Sequence, residues 1–425
     1  MRHPCIILAD RSGAELCGVS LLERLLRQLQ RLGLEKAIIL SSIPEALARD
    51  LANPSPHRAR VAIELRGCAS GPIAVQQIFD AWPEEAERVL VIPGDTVFDS
   101  RLLQILDGQD STTVLVDSAS PASLQPLLAS APTTSRGPLC GAVVLARNWA
   151  STQVAPLDEA LRHDIEAGRM NVLDIAAHGW YSGEMRRELR AYWFPSPGPG
   201  QRRMAERVLI EAAQKGAQDF PALIHAPIEN FLVSHLCKTA ITPNQLTVFS
   251  NIIAWGATFL FATGRLGAGI VLALAVGILD GLDGKQARIK IETSKAGKLE
   301  HWFDAFFEIS WWIALACYFR GSGRLPAAFG YLALLLCAET AAGLAKLSVI
   351  RHCGRLIDEI SDFDRVVRLF GGRRNIYVWL LALGIVFQSP VPAFKIMAWW
   401  AAVTAAVQVP RAIHIVRGAG KKGRE

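Results

Sequence analysis

The chain has 425 residues, 51% of them hydrophobic and 20% charged, with a formal net charge of +6. That length allows two or three domains, and the apolar content is too high for an ordinary soluble protein. The eight cysteines (Cys5, Cys17, Cys68, Cys140, Cys237, Cys317, Cys337 and Cys353) form no CxxC pair and no metal-finger spacing, so they read as reduced packing thiols rather than a disulfide or zinc scaffold. The first apolar run, CIILA, is only a strand's length, so no signal peptide is expected.

Roughly the first 200 residues alternate strand-like and helical patterns. Cys5 to Ala9, Lys36 to Leu40, Arg88 to Ile92, Thr112 to Val116 and Gly141 to Ala146 are short apolar or β-branched runs, and Ser20 to Gly33 has helical spacing between two of them. Such alternation predicts a soluble α/β domain, residues 1–199, with a mixed sheet flanked by helices. The opening CIILADRSGAELCGVSLLERLLRQLQRLGLEKAIIL and the later VLVIPGDTVFD resemble the sugar-phosphate nucleotidyltransferase fold. In that family a glycine-rich basic loop cradles the nucleotide and a Gly-Asp pair holds a cation. Gly94-Asp95 matches the second feature, although Asp95 reads equally as a turn residue after a strand. The loop Asp10-Arg11-Ser12-Gly13 is short, no lysine follows it where the family places one, and AYWFPSPGPG stands where a second metal aspartate is expected. Cradling phosphate needs free backbone N–H groups and a nearby cation, so the resemblance implies a degenerate nucleotidyltransferase acting as scaffold or regulator.

Phe194 to Gly200, FPSPGPG, is a linker that breaks regular structure, and residues 200–240 form a juxtamembrane stretch with a helix from Arg203 to Lys215. Phe220 to Leu236 repeats apolar residues at helical spacing among His225, Glu229, Asn230 and His235. This pattern suits a helix lying flat at the membrane interface, and an internal helix–helix contact would give the same pattern. Thr242-Pro243-Asn244 starts the next helix.

Residues 241–425 read as an α-helical membrane domain with six spans, at about 246–263, 266–280, 302–319, 325–345, 375–389 and 392–410. Basic residues crowd one side: Lys285, Arg288, Lys290, Lys295 and Lys298, then Lys346 to Arg374, then Arg411 to Arg424. The opposite side carries only Arg265, Arg320, Arg324 and Lys395. By the positive-inside rule this is a multi-pass protein with both termini in the cytoplasm. These loops carry most of the positive charge, which makes anionic membrane lipids the expected partner; no nucleic-acid-binding motif is present.

The stretch DGLDGKQARIKIETSKAGKLEHWFDAFFE, Asp280 to Glu308, brings charge to the end of an apolar segment. Asp280 and Asp283, three apart, share a face of a continuing helix and offer hard oxygen ligands to Mg²⁺ or Mn²⁺. They also suit plain salt bridges with Lys285 and Arg288. Gly281 and Gly284 leave the backbone bare for a nucleotide to approach, and Lys285 and Arg288 bring positive charge for phosphate. On the next helix Glu300, His301, Asp304 and Glu308 fall on one side, and ionisable groups at that depth point to function.

Asp280-x2-Asp283-Gly284-x2-Ala287-Arg288-x8-Gly297 resembles the signature of the CDP-alcohol phosphatidyltransferase family, and ITPNQLTVFSN resembles the segment before that family's first span. The family's two last acids fall on His301 and Ala305 without a gap, or on Asp304 and Glu308 with three residues inserted. The inserted reading restores two oxygen ligands one turn apart. The resemblance implies an enzyme that passes a substituted phosphate from a CDP-linked alcohol to an acceptor hydroxyl, releasing CMP at the cytoplasmic face. It implies cation ligands at Asp280, Asp283, Asp304 and Glu308, with Glu308 as base and Glu300 and His301 as stand-ins. Gly284, Lys285, Ala287 and Arg288 would shape the CMP pocket, and Arg373 or Arg374 would bind a phosphate on a polar alcohol or polyol phosphate acceptor; arginines there also suit plain anchoring to anionic lipid. The donor reads as CDP-diacylglycerol or as a CDP-polyol, the latter as in fusions of a cytidylyltransferase to this membrane domain. The family often forms homodimers through its spans. A non-catalytic lipid- or nucleotide-binding scaffold is the alternative class, separated by cation-dependent CMP release.

Overall fold

The computed structural model describes residues 1–9, 14–52, 55, 57–58, 60–150, 155–216, 219–292 and 297–422, with side chains described outside 297–305 and 420–422. Two compact units are present. The first comprises Met1–Ala213, Cys237–Thr239 and Arg288–Glu292; the second comprises Gln214–Leu236, Ala240–Ala287 and Thr293–Glu425.

In the first unit the β-branched runs form strands. They are β1 (Cys5–Leu8), β2 (Lys36–Ser41), β3 (Ala62–Gly67), β4 (Arg88–Pro93), β5 (Thr113–Val116), β6 (Gly137–Ala146) and β7 (Asn171–Asp174). The sheet order is β7-β5-β6-β4-β1-β2-β3, with Thr133–Thr134 added beside β6. β1, β2, β3 and β4 run parallel to their neighbours among themselves, β6 lies antiparallel to both β4 and β5, and β7 runs parallel to β5. The mixed α/β expectation therefore holds. β3 and β7 escape an apolar-run reading because they carry Glu64 and Arg66, or Asn171 and Asp174, at the sheet's two edges.

Ser20 caps α1 (Leu21–Arg31) by accepting from the Glu23 N–H at 3.2 Å, and Leu22, Leu25, Leu26 and Leu29 form its buried stripe. The Gly94 N–H donates to the Leu8 carbonyl at 2.7 Å, and a Cβ at Gly94 would lie 3.1 Å from Ile7 and 3.2 Å from Leu8 O. The Gly-Asp turn is thus pressed against the end of β1, closer than an ordinary Cβ contact. The loop from Asp10 to Gly13 lies outside the described residues. The expected break from Phe194 starts later than predicted. Trp193–Pro195 is a strand paired with Thr96–Phe98, because the Trp193 and Phe194 side chains are fully buried.

The second unit is helical: α3 (Phe220–Leu236), α4 (Pro243–Ala262), α5 (Leu266–Lys290), α6 (Gly297–Gly321), α7 (Ala328–Cys353), α8 (Asp362–Phe370), α9 (Arg374–Val386) and α10 (Pro390–Lys422). It follows α2 (Arg202–Ala212) of the first unit. Thr242 and Gln245 form the capping box that opens α4, with Pro243 in the first turn. Gly264, at φ +78°, closes the turn into α5 where a Cβ would collide with Tyr318. Phe261, Trp311, Trp312, Phe319, Tyr377 and Phe394 build the bundle core among small alanines, while Ile252, Trp255 and Phe259 of α4 face outward. Such surfaces suit a hydrocarbon solvent. Among the described residues four helices, α4, α5, α7 and α10, are long and apolar enough to cross a membrane. Of the six expected spans these four meet that length and composition; α9 is apolar but has only 13 residues, and the side chains of the first turns of α6 lie outside the described residues.

Glu206 of α2 is a stability element of the first unit. It pairs with Lys238 at 2.7 Å and Arg202 at 3.2 Å and accepts from the Cys17 N–H at 3.3 Å. Burial pushes its carboxyl upward, but these donors outweigh burial and hold it below the usual glutamate range. A depressed carboxyl contributes stability that is present at neutral pH and is lost as pH falls through its folded value. Glu206→Gln should therefore lower stability at pH 7 by about 1–3 kcal/mol, with the difference from the unaltered protein vanishing in acid. Thermal unfolding followed across pH 3–7 checks this; equal curves at pH 7 would refute it.

Candidate functional site

α5 continues unbroken through the charged motif to Lys290. Its Asp280 and Asp283 therefore stand three residues apart, nearly one helical turn. Each carboxylate is met by a different neighbour. Asp280 is ion-paired with Arg374, the first residue of α9, whose guanidinium also lies 5.2 Å over the Phe307 ring. Asp283 is 3% exposed, and its Oδ2 accepts from the Thr247 hydroxyl of α4 at 2.6 Å. A carboxylate buried that deeply needs such donors to remain ionised. Thr247 was not singled out from sequence, because a threonine in an apolar helix carries no signal beyond its hydroxyl.

The remaining motif residues behave differently from expectation. Lys285 is fully buried. Its ammonium pairs with Glu229 of α3 at 2.9 Å and donates to Asn230 Oδ1 at 2.8 Å and to Gln214 Oε1. These three partners match the three protons of an ammonium, so its charge is spent within the protein. Gly281 also has another use: a Cβ there would come within 2.3 Å of the Glu229 carboxylate. The bare backbone at 281 admits α3, not a nucleotide. Arg288 donates to the Ala213 carbonyl at 2.9 Å, Ala287 is buried, and the Gly284 N–H donates to Asp283.

On α6, Glu308 has Arg374, Glu339 and Arg373 as charged neighbours. Arg374 thus pairs with Asp280 of α5 and is a charged neighbour of Glu308 on α6. The side chains of Glu300, His301 and Asp304 lie outside the described residues. Glu339 of α7 accepts from the Tyr377 hydroxyl of α9, the cross-bundle polar partner that an intramembrane acid requires.

Among the described residues no group of three His, Cys, Asp or Glu side chains is gathered as a metal cage. The donor chemistry of Asp280 and Asp283 nevertheless suits a hard divalent cation. Both are carboxylates about 60° apart on one helix, Asp280 held by Arg374 and Asp283 by Thr247 and the Gly284 N–H.

The family model described as CDP-alcohol phosphatidyltransferase matches residues 240–408. A curated relative from Rubrobacter xylanophilus, named bifunctional IPC transferase and DIPP synthase, is 28% identical over 213 residues, covering 47% of this chain and 44% of that one. A relative of the same name from Thermococcus kodakarensis is 27% identical over 233 residues, 54% of this chain and 49% of that one. The chain spans about half the length of the curated relatives it matches. Among solved structures, the inositol-1-phosphate CTP transferase from T. maritima covers 48% of this chain and 96% of its own, at 15% identity and a TM-score of 0.34. The Mycobacterium tuberculosis phosphatidylinositol phosphate synthase with CDP-DAG bound covers 46% of this chain and 94% of its own, at 20% identity and a TM-score of 0.34. Residues 240–408, which run from just before the cap of α4 into α10 and carry Asp280 and Asp283, are the part of the chain that matches the CDP-alcohol phosphatidyltransferase family.

Proposed function

We propose that the helical unit transfers a substituted phosphate from a CDP-linked alcohol to an acceptor hydroxyl and releases CMP. The observation that carries this reading is the pair Asp280 and Asp283, the first two acids of the family motif, presented by one helix within the matched residues. Asp280 and Asp283, with Asp304 and Glu308 of α6, would hold Mg²⁺ or Mn²⁺. A cation bound there would supply charge neutralisation for the transferring and leaving oxygens.

The chain's own residues do the rest. Glu308 accepts the proton of the acceptor hydroxyl, with Glu300 or His301 as its stand-ins. The acceptor oxygen then bonds to the β-phosphorus, the bond to the CMP oxygen breaks, and CMP leaves with that electron pair. Gly284, Ala287 and Arg288 border the CMP half, and Lys285 contributes through its pair with Glu229 rather than by touching phosphate. Arg374, with Arg373 beside it, recognises a phosphate on the acceptor. Its guanidinium holds Asp280 in the present structure, so a cation taking that carboxylate would release the arginine for the acceptor.

A nucleotidyltransferase-like unit placed before the membrane unit supports a CDP-polyol donor over CDP-diacylglycerol. The short loop at Asp10 to Gly13 supports a scaffolding or regulatory role for that first unit. α6 and α9 would complete a six-span bundle with both termini and the site at the cytoplasmic face. Surrounding lipid, or a second copy of the chain, suits the exposed Ile252, Trp255 and Phe259 of α4.

Three outcomes are expected of the purified protein. Asp283→Asn, which keeps the Thr247 hydrogen bond but loses the charge, should lower cation-dependent CMP release by at least roughly a hundredfold; retained turnover would remove Asp283 from the site. Arg374→Ala should raise the acceptor KM by about 10–100-fold, the worth of a charge-assisted hydrogen bond, and an unaltered acceptor dependence would refute its role. Incubation with CTP, Mg²⁺ and sugar or polyol phosphates should release no pyrophosphate; its release would overturn the scaffold reading of the first unit.

A further inference from the structure

α3 lies before the matched family residues, and it is built inside out. Pro221, His225, Glu229 and Val233, spaced by four, form its buried stripe, while Leu223, Ile224, Ile228 and Phe231 are 41–66% exposed. A helix whose polar face turns inward and whose apolar face turns outward belongs against lipid on one side and charged partners on the other. Of the two alternatives the sequence leaves open, the internal helix–helix contact is present, and the exposed apolar face suits the membrane interface.

The inward face makes three polar contacts. Asp219, just before α3, accepts from Asn375 at 3.1 Å, and His225 Nε2 accepts from the Trp379 indole at 3.3 Å, both on α9. Glu229 pairs with Lys285 of α5 at 2.9 Å. Across from these, α5 carries Gly277, Gly281 and Lys285, again spaced by four. A Cβ at 277 would lie 3.1 Å from His225, and one at 281 would overlap Glu229. The two helices are therefore keyed together by glycine gaps that receive acidic and imidazole side chains.

On α5, at 100° per residue, the 277/281/285 stripe lies about 100° from Asp280 and about 160° from Asp283. Three elements thus grip three faces of one helix: α3 through Lys285, α9 through Asp280 and α4 through Asp283. Rotation of α5 about its axis would break all three contacts. We propose that Glu229 is a positioning residue: its buried pair with Lys285, seated against Gly281, fixes the rotation of α5 and so sets where the Asp280 and Asp283 carboxylates present themselves to a cation. The inference rests on the metal reading above and extends it to a helix outside the matched family residues.

The test is direct Mn²⁺ binding by the purified full chain in detergent, without nucleotide, followed by the electron paramagnetic resonance of free Mn²⁺. Glu229→Gln removes the charge. Gly281→Ala keeps every charge but displaces the carboxylate. Both should weaken Mn²⁺ binding by at least about tenfold, the usual cost of losing a group that orients a ligand. Asp364→Asn, which breaks the Arg411 pair between α8 and α10, controls for loss of stability alone and should leave Mn²⁺ affinity unchanged. Should Glu229→Gln fail to fold, Gly281→Ala decides. Unaltered affinity in a folded Glu229→Gln or Gly281→Ala protein overturns the proposal, as does an equal loss in Asp364→Asn. No Mn²⁺ uptake by the unaltered protein would instead sink the metal reading itself.

Discussion

A buried charge must be met by another group, and the last turns of α5 carry five charges: Asp280, Asp283, Lys285, Arg288 and Lys290. Asp283, Lys285 and Lys290 are buried, and each of these left unpaired would cost several kcal/mol. All five are answered, by Arg374, Thr247, Glu229, the Ala213 carbonyl and the Thr239 carbonyl respectively. The arrangement of the neighbouring segments follows from that requirement.

Those partners do unequal jobs. The contacts of Lys285, Arg288 and Lys290 are complete within the protein and serve to hold the helix. Asp280 accepts from Arg374 through one oxygen, and Asp283 accepts from the Thr247 hydroxyl and the Gly284 N–H; a carboxylate oxygen has more than one lone pair, so such oxygens suit a hard cation as well. The mutual placement of Asp280, Arg374 and Glu308 adds a second property. A single guanidinium pairs with one carboxylate and has another as a charged neighbour, so a cation held by these acids would change what the arginine can bind. Chemistry on phosphate esters depends on placing positive charge around the transferring group, and Arg374 is such a charge at the edge of a core built by Trp311, Trp312, Tyr377 and Phe394.

Much of this was legible from the residues. β-branched runs gave five strands of the sheet, Thr242-Pro243 marked the start of α4, and the spacing from Asp280 to Gly297 named the family now matched over 240–408. What stayed hidden was partner choice. Lys285 and Gly281 look like phosphate and nucleotide features when read along the chain, because their true neighbour, Glu229, lies on another helix and nothing local announces it. The charged edge strands β3 and β7 were missed for a related reason: at the rim of a sheet, polar side chains face water and the apolar alternation fades. Helix length is also poorly legible from hydropathy: α9 is apolar, yet its 13 residues rise only about 20 Å.

We propose that carboxylates from α5 and α6 converge on one cation position, and anomalous diffraction from crystals of the full chain grown with Mn²⁺ would show it. The expected result is a Mn²⁺ peak bonded to Asp280 and Asp283 and joined by the Asp304 carboxylate, with the Arg374 guanidinium withdrawn from Asp280. A peak elsewhere, or an Asp304 side chain turned away with Arg374 still closed on Asp280, would contradict it.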